Sequence, residues 1–197
     1  GTCKFALSST TTDESGASVT SEEGWSGTIV NTGTVTLTGS TDGGLLRAGG
    51  FFGLFETAEN PFHHGAKFYQ LGDVVFKGDV GTKDGVAGTS QIGGVVSSSV
   101  APVNNVECYC TINAPTATTV GYIMATPRVP GSVIATNCKI GGTLIGEFDE
   151  EDQTYKTTVL SEGDYFNYIY GSGEETDWTG TDNYDGCTWL SAAPIIQ

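Results

Sequence analysis

The chain has 197 residues, enough for one sizeable hydrophobic core and no obligation to a second. Its 29 glycines and abundant threonine and serine disfavour helices and suit strands, so the expected class is all-β. Eight Lys and Arg against 23 Asp and Glu leave a net charge of −15, which repels phosphate backbones and anionic lipid and excludes nucleic acid as a partner.

Residues 1–24 are rich in Ser, Thr, Glu and Gly around a short apolar run, Phe5-Ala6-Leu7, and read as an N-terminal cap with a flexible loop. Alternation then starts at Thr28-Ile29-Val30 and Thr34-Val35-Thr36-Leu37-Thr38, the pattern of half-buried strands. A segment from Leu46 to Phe55 carries Gly49-Gly50-Phe51-Phe52-Gly53. It is followed by a loop with Pro61, His63 and His64, and by Val74 to Val80 as a closing strand. Gly81 to Ser90 reads as a further loop, turning at Lys83-Asp84-Gly85.

From Ile92 to Gly146 one unit occurs twice. Ile92-Gly93-Gly94-Val95-Val96 and Val120-Gly121-Tyr122-Ile123-Met124 open the two passes, and Val106 to Ile112 and Ala135 to Ile140 close them. Gly93 to Gly121, Cys110 to Cys138 and Ile112 to Ile140 each span 28 residues, whereas Gly50 to Gly94 spans 44 and implies an insertion. A fixed period of this size marks a stacked repeat, in which each unit buries its apolar face against its neighbours. Cys108 and Cys110, two apart on one strand, and Cys138 one period later are expected to be small wall residues of the core. Five cysteines leave at least one unpaired.

Beyond Gly146 the charge tilts: twelve acids against Lys156 alone. Glu147 to Asp152 is a charged excursion, and alternation resumes at Thr157 to Leu160 and Tyr165 to Gly171. Residues 147–197, with Trp178, Tyr184 and Trp189, read as an atypical last coil or cap, and residues 25–146 as the repeat coils of a single domain.

The Gly-Gly-aliphatic openings at Gly49-Gly50, Gly93-Gly94 and Gly121, with the closing Asn137-Cys138-Lys139-Ile140-Gly141-Gly142, resemble GLUG-type repeats over about Leu46 to Gly146. Ser97 and Ala125 stand where the last glycine of the Gly-Gly-x-x-Gly form would be. The resemblance implies a right-handed parallel β-helix or solenoid with irregular caps, found in adhesin-like surface proteins and lipoproteins of Gram-negative gut anaerobes, without a catalytic apparatus. An antiparallel β-sandwich is the alternative fold. The expected setting is extracellular or the outer cell surface, with Gly1-Thr2 opening a processed chain or a fragment of a longer, lipid-anchored one.

Reaction chemistry is weakly marked. Trp178, Tyr184 and Trp189 mix flat apolar faces with polar acceptors, as a neutral-glycan site does, or else plug the end of the stack. His63 and His64 sit on an insertion, where solenoids often bind, and a surface protein is the other candidate partner. Asp182, Asn183 and Asp185 resemble part of a calcium loop, but Thr181 and Ala192 occupy its first and last positions, so it is no EF-hand. Asp73, Asp79 and Glu107, with Lys77 and Lys139, form the set a carboxylate-based polysaccharide enzyme would need. No apolar run of about 18 residues predicts a transmembrane segment. The expected protein is a monomeric, non-enzymatic adhesion or ligand-binding module, with the enzyme and a plain structural spacer as alternatives.

Overall fold

Val106 to Asn113 alternates buried and half-buried residues without a break, the period of two that a strand with one wet face imposes. It lies at the centre of an all-β chain, whose computed structural model describes residues 9–12, 18–21, 28–55, 66–128, 134–171 and 184–196. Strands β1 (Ser9–Thr12) and β2 (Ser18–Ser21) form an antiparallel hairpin. Next come β3 (Thr28–Asn31), β4 (Val35–Leu37), β5 (Ser40–Asp42), β6 (Leu45–Gly49) and β7 (Phe52–Phe55). A second pass contains β8 (Lys67–Gln70), β9 (Val74–Phe76), β10 (Asp79–Lys83), β11 (Val86–Ala87), β12 (Thr89–Gly93) and β13 (Val96–Ser99). The third has β14 (Val103–Asn104), β15 (Val106–Asn113), β16 (Thr119–Gly121) and β17 (Met124–Pro127). The chain closes with β18 (Ala135–Thr136), β19 (Lys139–Asp149), β20 (Thr154–Val159), a 3-10 turn at Tyr165–Tyr168, β21 (Tyr184–Asp185) and β22 (Thr188–Trp189).

Each strand lies parallel on its counterpart in the neighbouring pass. One sheet runs β3, β8, β15, β19 and β22, with β4 and β9 extending it; others are β6-β12-β16, β7-β13-β17 and β14-β18-β21. Antiparallel pairing among the described strands is confined to the hairpins β1–β2, β10–β11 and β19–β20. Hydrogen-bonded neighbours in successive passes are 39 residues apart at Asn31–Gln70 and 38 at Asp73–Thr111. They are 44 apart at Arg47–Gln91, 28 at Ser90–Thr118 and 32 at Glu107–Lys139.

The expected 28-residue period therefore holds for the openings, where Gly93 lies on Gly121, and fails for the closings. Cys110 lies on Gly142, Ile112 on Leu144, and Cys108 on Ile140. Extra residues between β17 and β18 shift the register, an insertion that a connection tolerates at little entropic cost. The 44-residue spacing holds: the Gly50 N–H donates to the Gly94 carbonyl at 3.1 Å. Three further expectations change. Val106 lies on Phe68 of β8, a strand that alternation alone passed over, and Val74 lies on Ile112. Gly81 to Ser90 contains the β10–β11 hairpin, turning through Asp84 and Gly85 at positive φ. Tyr165 to Tyr168 is a 3-10 turn rather than a strand.

The opening glycines have a steric cause. A Cβ on Gly49, Gly93 or Gly121 would collide with the carbonyl three residues ahead, that of Phe52, Val96 or Met124. The chain turns a tight corner there, so only glycine fits. The last glycine of the motif has no such duty, because a Cβ on Gly53 would meet only the Arg47 carbonyl at 3.7 Å. Ser97 and Ala125 replace it accordingly.

Inside the stack, Phe68, Val74, Ile92, Val96, Val106, Cys108, Cys110, Ile112, Ile123, Met124, Cys138 and Ile140 are buried together. Phe51 meets Phe68 edge to face at a centroid distance of 5.4 Å. Burial of such side chains at about 25 cal/mol per Å² is the main stabilising term. Substituting Gly93→Ala should destabilise the chain by roughly 3 kcal/mol through forced backbone movement, whereas Gly53→Ala should shift stability by under about 1 kcal/mol. Urea denaturation followed by fluorescence distinguishes the two; equal losses would remove the corner argument.

Candidate functional site

The outward residues of β8, β15 and β19 stand in rows because the strands stack in register. Tyr69, Glu107 and Lys139 are successive partners across the sheet. At the corner just before them, Asn105 (φ 56°) and Asn137 (φ 52°) hold left-handed conformations, and Gly186 (φ 61°) does so one pass later. Asparagine reaches that region more easily than other side-chain-bearing residues, and glycine freely. The Asn105 N–H donates to the Thr136 carbonyl at 3.1 Å and the Asn137 N–H to the Asp185 carbonyl at 2.8 Å, so the corner is held by its successor.

These residues enclose a shallow groove of about 210 Å³, lined by Lys67, Tyr69, Asn105, Glu107, Asn137 and Lys139. The Lys139 Nζ donates to the Glu107 Oε1 at 2.8 Å, with the lysine about half exposed. A pair this wet adds only about 0–1 kcal/mol to stability. Its effect on the site is to cancel one positive charge and tie one carboxylate to Lys139. The remaining groups are an exposed lysine, a half-buried phenol and two carboxamides that donate and accept. The floor is small against the roughly 300–1,000 Å³ of drug-sized sites, and suits a single ring.

No protein-family model, curated protein or solved structure matches this chain.

Of the acids singled out from sequence, Glu107 alone lies in the groove. Asp73 Oδ1 accepts the Thr111 N–H at 2.9 Å, and Asp79 stands exposed at the head of β10. The candidate aromatics divide. Tyr184 is half-buried against the core, and the Trp189 Nε1 donates to the Leu160 carbonyl at 3.2 Å. Nearby, the Tyr165 hydroxyl donates to the Cys187 carbonyl at 3.1 Å, and Tyr168 and Tyr170 also pack on the core. Asp185 is exposed, and its carbonyl serves the Asn137 corner. His63, His64, Trp178, Asp182 and Asn183 lie outside the described residues. In the charged excursion, Asp149 Oδ1 accepts the Glu151 and Asp152 N–H groups at 2.9 and 3.2 Å, which makes it the cap of the β19–β20 turn. Among the described residues no three His, Cys, Asp or Glu side chains gather as a metal would need, and no helix is long and apolar enough to cross a membrane.

Lys67, Tyr69 and Asn105 went unremarked in the sequence, and Asn137 stood there only as part of a closing repeat, although a signal was there. Asn105-Val106 and Asn137-Cys138 both place asparagine at the entry to a strand, at the 32-residue spacing that Glu107 and Lys139 also keep.

The most perturbed titratable groups are inside. Burial holds the Tyr122 phenol far above its ordinary value of 10.0, and its Oη has no hydrogen-bond partner. A hydrogen bond with Cys110 and burial push the Cys108 thiol well above 9.0. Burial does the same to Cys138. Groups held neutral in this way contribute fully below their unfolded pKa and progressively less as pH rises above it. Stability of the reduced chain should thus be level up to about pH 9 and then fall by about 1.4 kcal/mol per pH unit for each such group. Tyr122→Phe should flatten the slope above about pH 10 and, by removing an unpartnered hydroxyl, leave neutral-pH stability equal or higher. Denaturant midpoints from pH 7 to 11 check both; a Tyr122→Phe loss above about 1 kcal/mol at pH 7 would contradict the orphaned hydroxyl.

Proposed function

We propose that the chain is a right-handed parallel β-solenoid module of a secreted or cell-surface protein, non-enzymatic, whose groove over β8, β15 and β19 binds a neutral glycan. The GLUG-type resemblance and the parallel, in-register pairing support the solenoid. The general preference of parallel crossovers supports its hand. Belonging to a longer, lipid-anchored adhesin-like protein is part of the same reading.

The observation that carries the binding role is that Tyr69 lines the groove beside two carboxamides, on strands paired in register. A pyranose offers an apolar C–H face to stack on a phenol ring, and hydroxyls that pair with groups able both to donate and to accept. Fixed strands hold those groups in place, so little conformational entropy is lost on binding. An uncharged sugar suits a chain of net charge −15, in which Glu107 already neutralises Lys139. Asp73 is engaged by backbone and Glu107 by a cation, which favours recognition over acid-base turnover. The half-buried aromatics of the C-terminal segment act in this reading as the plug of the stack.

A glycan array followed by titration calorimetry tests it. Tyr69→Ala should weaken the best glycan by up to about tenfold, since stacking of this kind is worth roughly 0.5–1.5 kcal/mol, and leave the melting temperature within a few degrees. An array without a bound glycan would defeat the reading. Release of unsaturated or reducing ends would replace it with the polysaccharide enzyme.

A further inference from the structure

We infer that Cys138 and Cys187 form a disulfide that ties the last pass of the chain to the one before it. The two cysteines sit at the same place in successive passes. Thr136 pairs with Asp185 and Lys139 with Thr188, which sets Cys138 directly opposite Cys187. The backbone is already fastened there: the Thr188 N–H donates to the Cys138 carbonyl at 2.9 Å. Both side chains turn inward, Cys138 fully buried with its Sγ at 3.3 Å from the Val103 carbonyl and Cys187 half-buried against the core. Parallel neighbours lie about 4.8 Å apart, inside the roughly 4.4–6.8 Å Cα separation of disulfides.

Among the described residues the other thiols do not meet this requirement. Cys108 and Cys110 are two apart along a single strand, about 6.6 Å between Cα atoms, at the far edge of the range. Their sulfurs stand 3.7 Å apart as thiols, and their partners across the sheet are Gln70, Ile140 and Gly142.

The pair is also chemically asymmetric. Cys187 is held below the usual thiol range by the hydrogen bond from Cys138, whereas burial pushes Cys138 up. Half-exposed Cys187 is therefore the attacking thiolate and Cys138 the resolving group. With a small-molecule disulfide RSSR as oxidant, the Cys187 thiolate attacks one sulfur, forming a mixed disulfide and expelling RS⁻, which takes a proton. The Cys138 sulfur, on losing its proton, then attacks the Cys187 sulfur and expels the second RS⁻, protonated in turn. Two protein thiols are oxidised and one RSSR is reduced to two RSH. The bond would pin Gly186 against Asn137, at the rim of the groove, and it holds whether or not the groove binds sugar.

Trypsin separates the thiols: Cys138 falls on residues 129–139, Cys187 on residues 157–197, and Cys108 with Cys110 on residues 84–128. The folded full chain is incubated with oxidised glutathione, blocked with an alkylating reagent and digested without reductant. The expected product is residues 129–139 joined to 157–197, lighter than the sum of the two peptides by two hydrogens and separated by reductant, with a denaturant midpoint that rises on oxidation. The variant Cys138→Ala should instead accumulate glutathione on Cys187. Full alkylation of Cys138 and Cys187 after oxidation, or a cross-link joining either of them to another peptide, would overturn the assignment, as would a Cys138→Ala protein that carries no glutathione at Cys187.

Discussion

At the corner after β6, β12 and β16 the chain folds back so sharply that the atom at the Cβ position must be absent. Gly49, Gly93 and Gly121 each face a carbonyl three residues ahead, with Gly49 lying directly on Gly93 and Gly93 on Gly121. Everything else in the stack depends on that turn. It aligns β6 with β12 and β16, carries the same register into β7, β13 and β17, and delivers the chain to the wall formed by β8, β15 and β19. A stack of this kind has little tolerance for an error at one pass, because each pass is the template for the next.

Parallel stacking places polar groups inside as well as out, and the interior pairs them. Gln70 accepts from Asn31 at 3.0 Å while donating to the Gly72 carbonyl. Buried Ser97, Ser98 and Ser99 donate to the carbonyls of Gln91, Thr126 and Ala101. Ser90 and Thr118 exchange hydrogen bonds across the 28-residue step. Such satisfaction matters because an unpaired buried polar group costs about 1–3 kcal/mol. The Tyr122 hydroxyl and the Asn104 Oδ1 are the exceptions among the described residues. On the outside, the same register builds the groove, by stacking Tyr69, Glu107 and Lys139 beside two left-handed asparagine corners.

The strand character, the inward cysteines and the 44-residue spacing were legible from composition and spacing, since glycine pairs and alternation report directly on corners and faces. The closing register was not. Cys110 and Cys138 stand 28 residues apart and do not stack, because a longer connection after β17 displaces everything beyond it. Spacing along a chain records stacking only where the loops between landmarks are equal in length. Tyr165 to Tyr170 misled for another reason: aromatic alternation suits a strand and also a 3-10 turn packed on a core. The groove stayed hidden because its residues come from three passes and none is unusual alone.

The stacking of the strands and the groove both depend on the register of β15 between β8 and β19. Backbone amide contacts measured by nuclear magnetic resonance in the isotopically labelled chain test it directly. Glu107 should show cross-strand contacts to the backbone around Tyr69 and Lys139, and Cys110 to Gly142. A contact network that set Cys110 against Cys138, or that ran β15 antiparallel to β8 or β19, would contradict the stack and dissolve the groove with it.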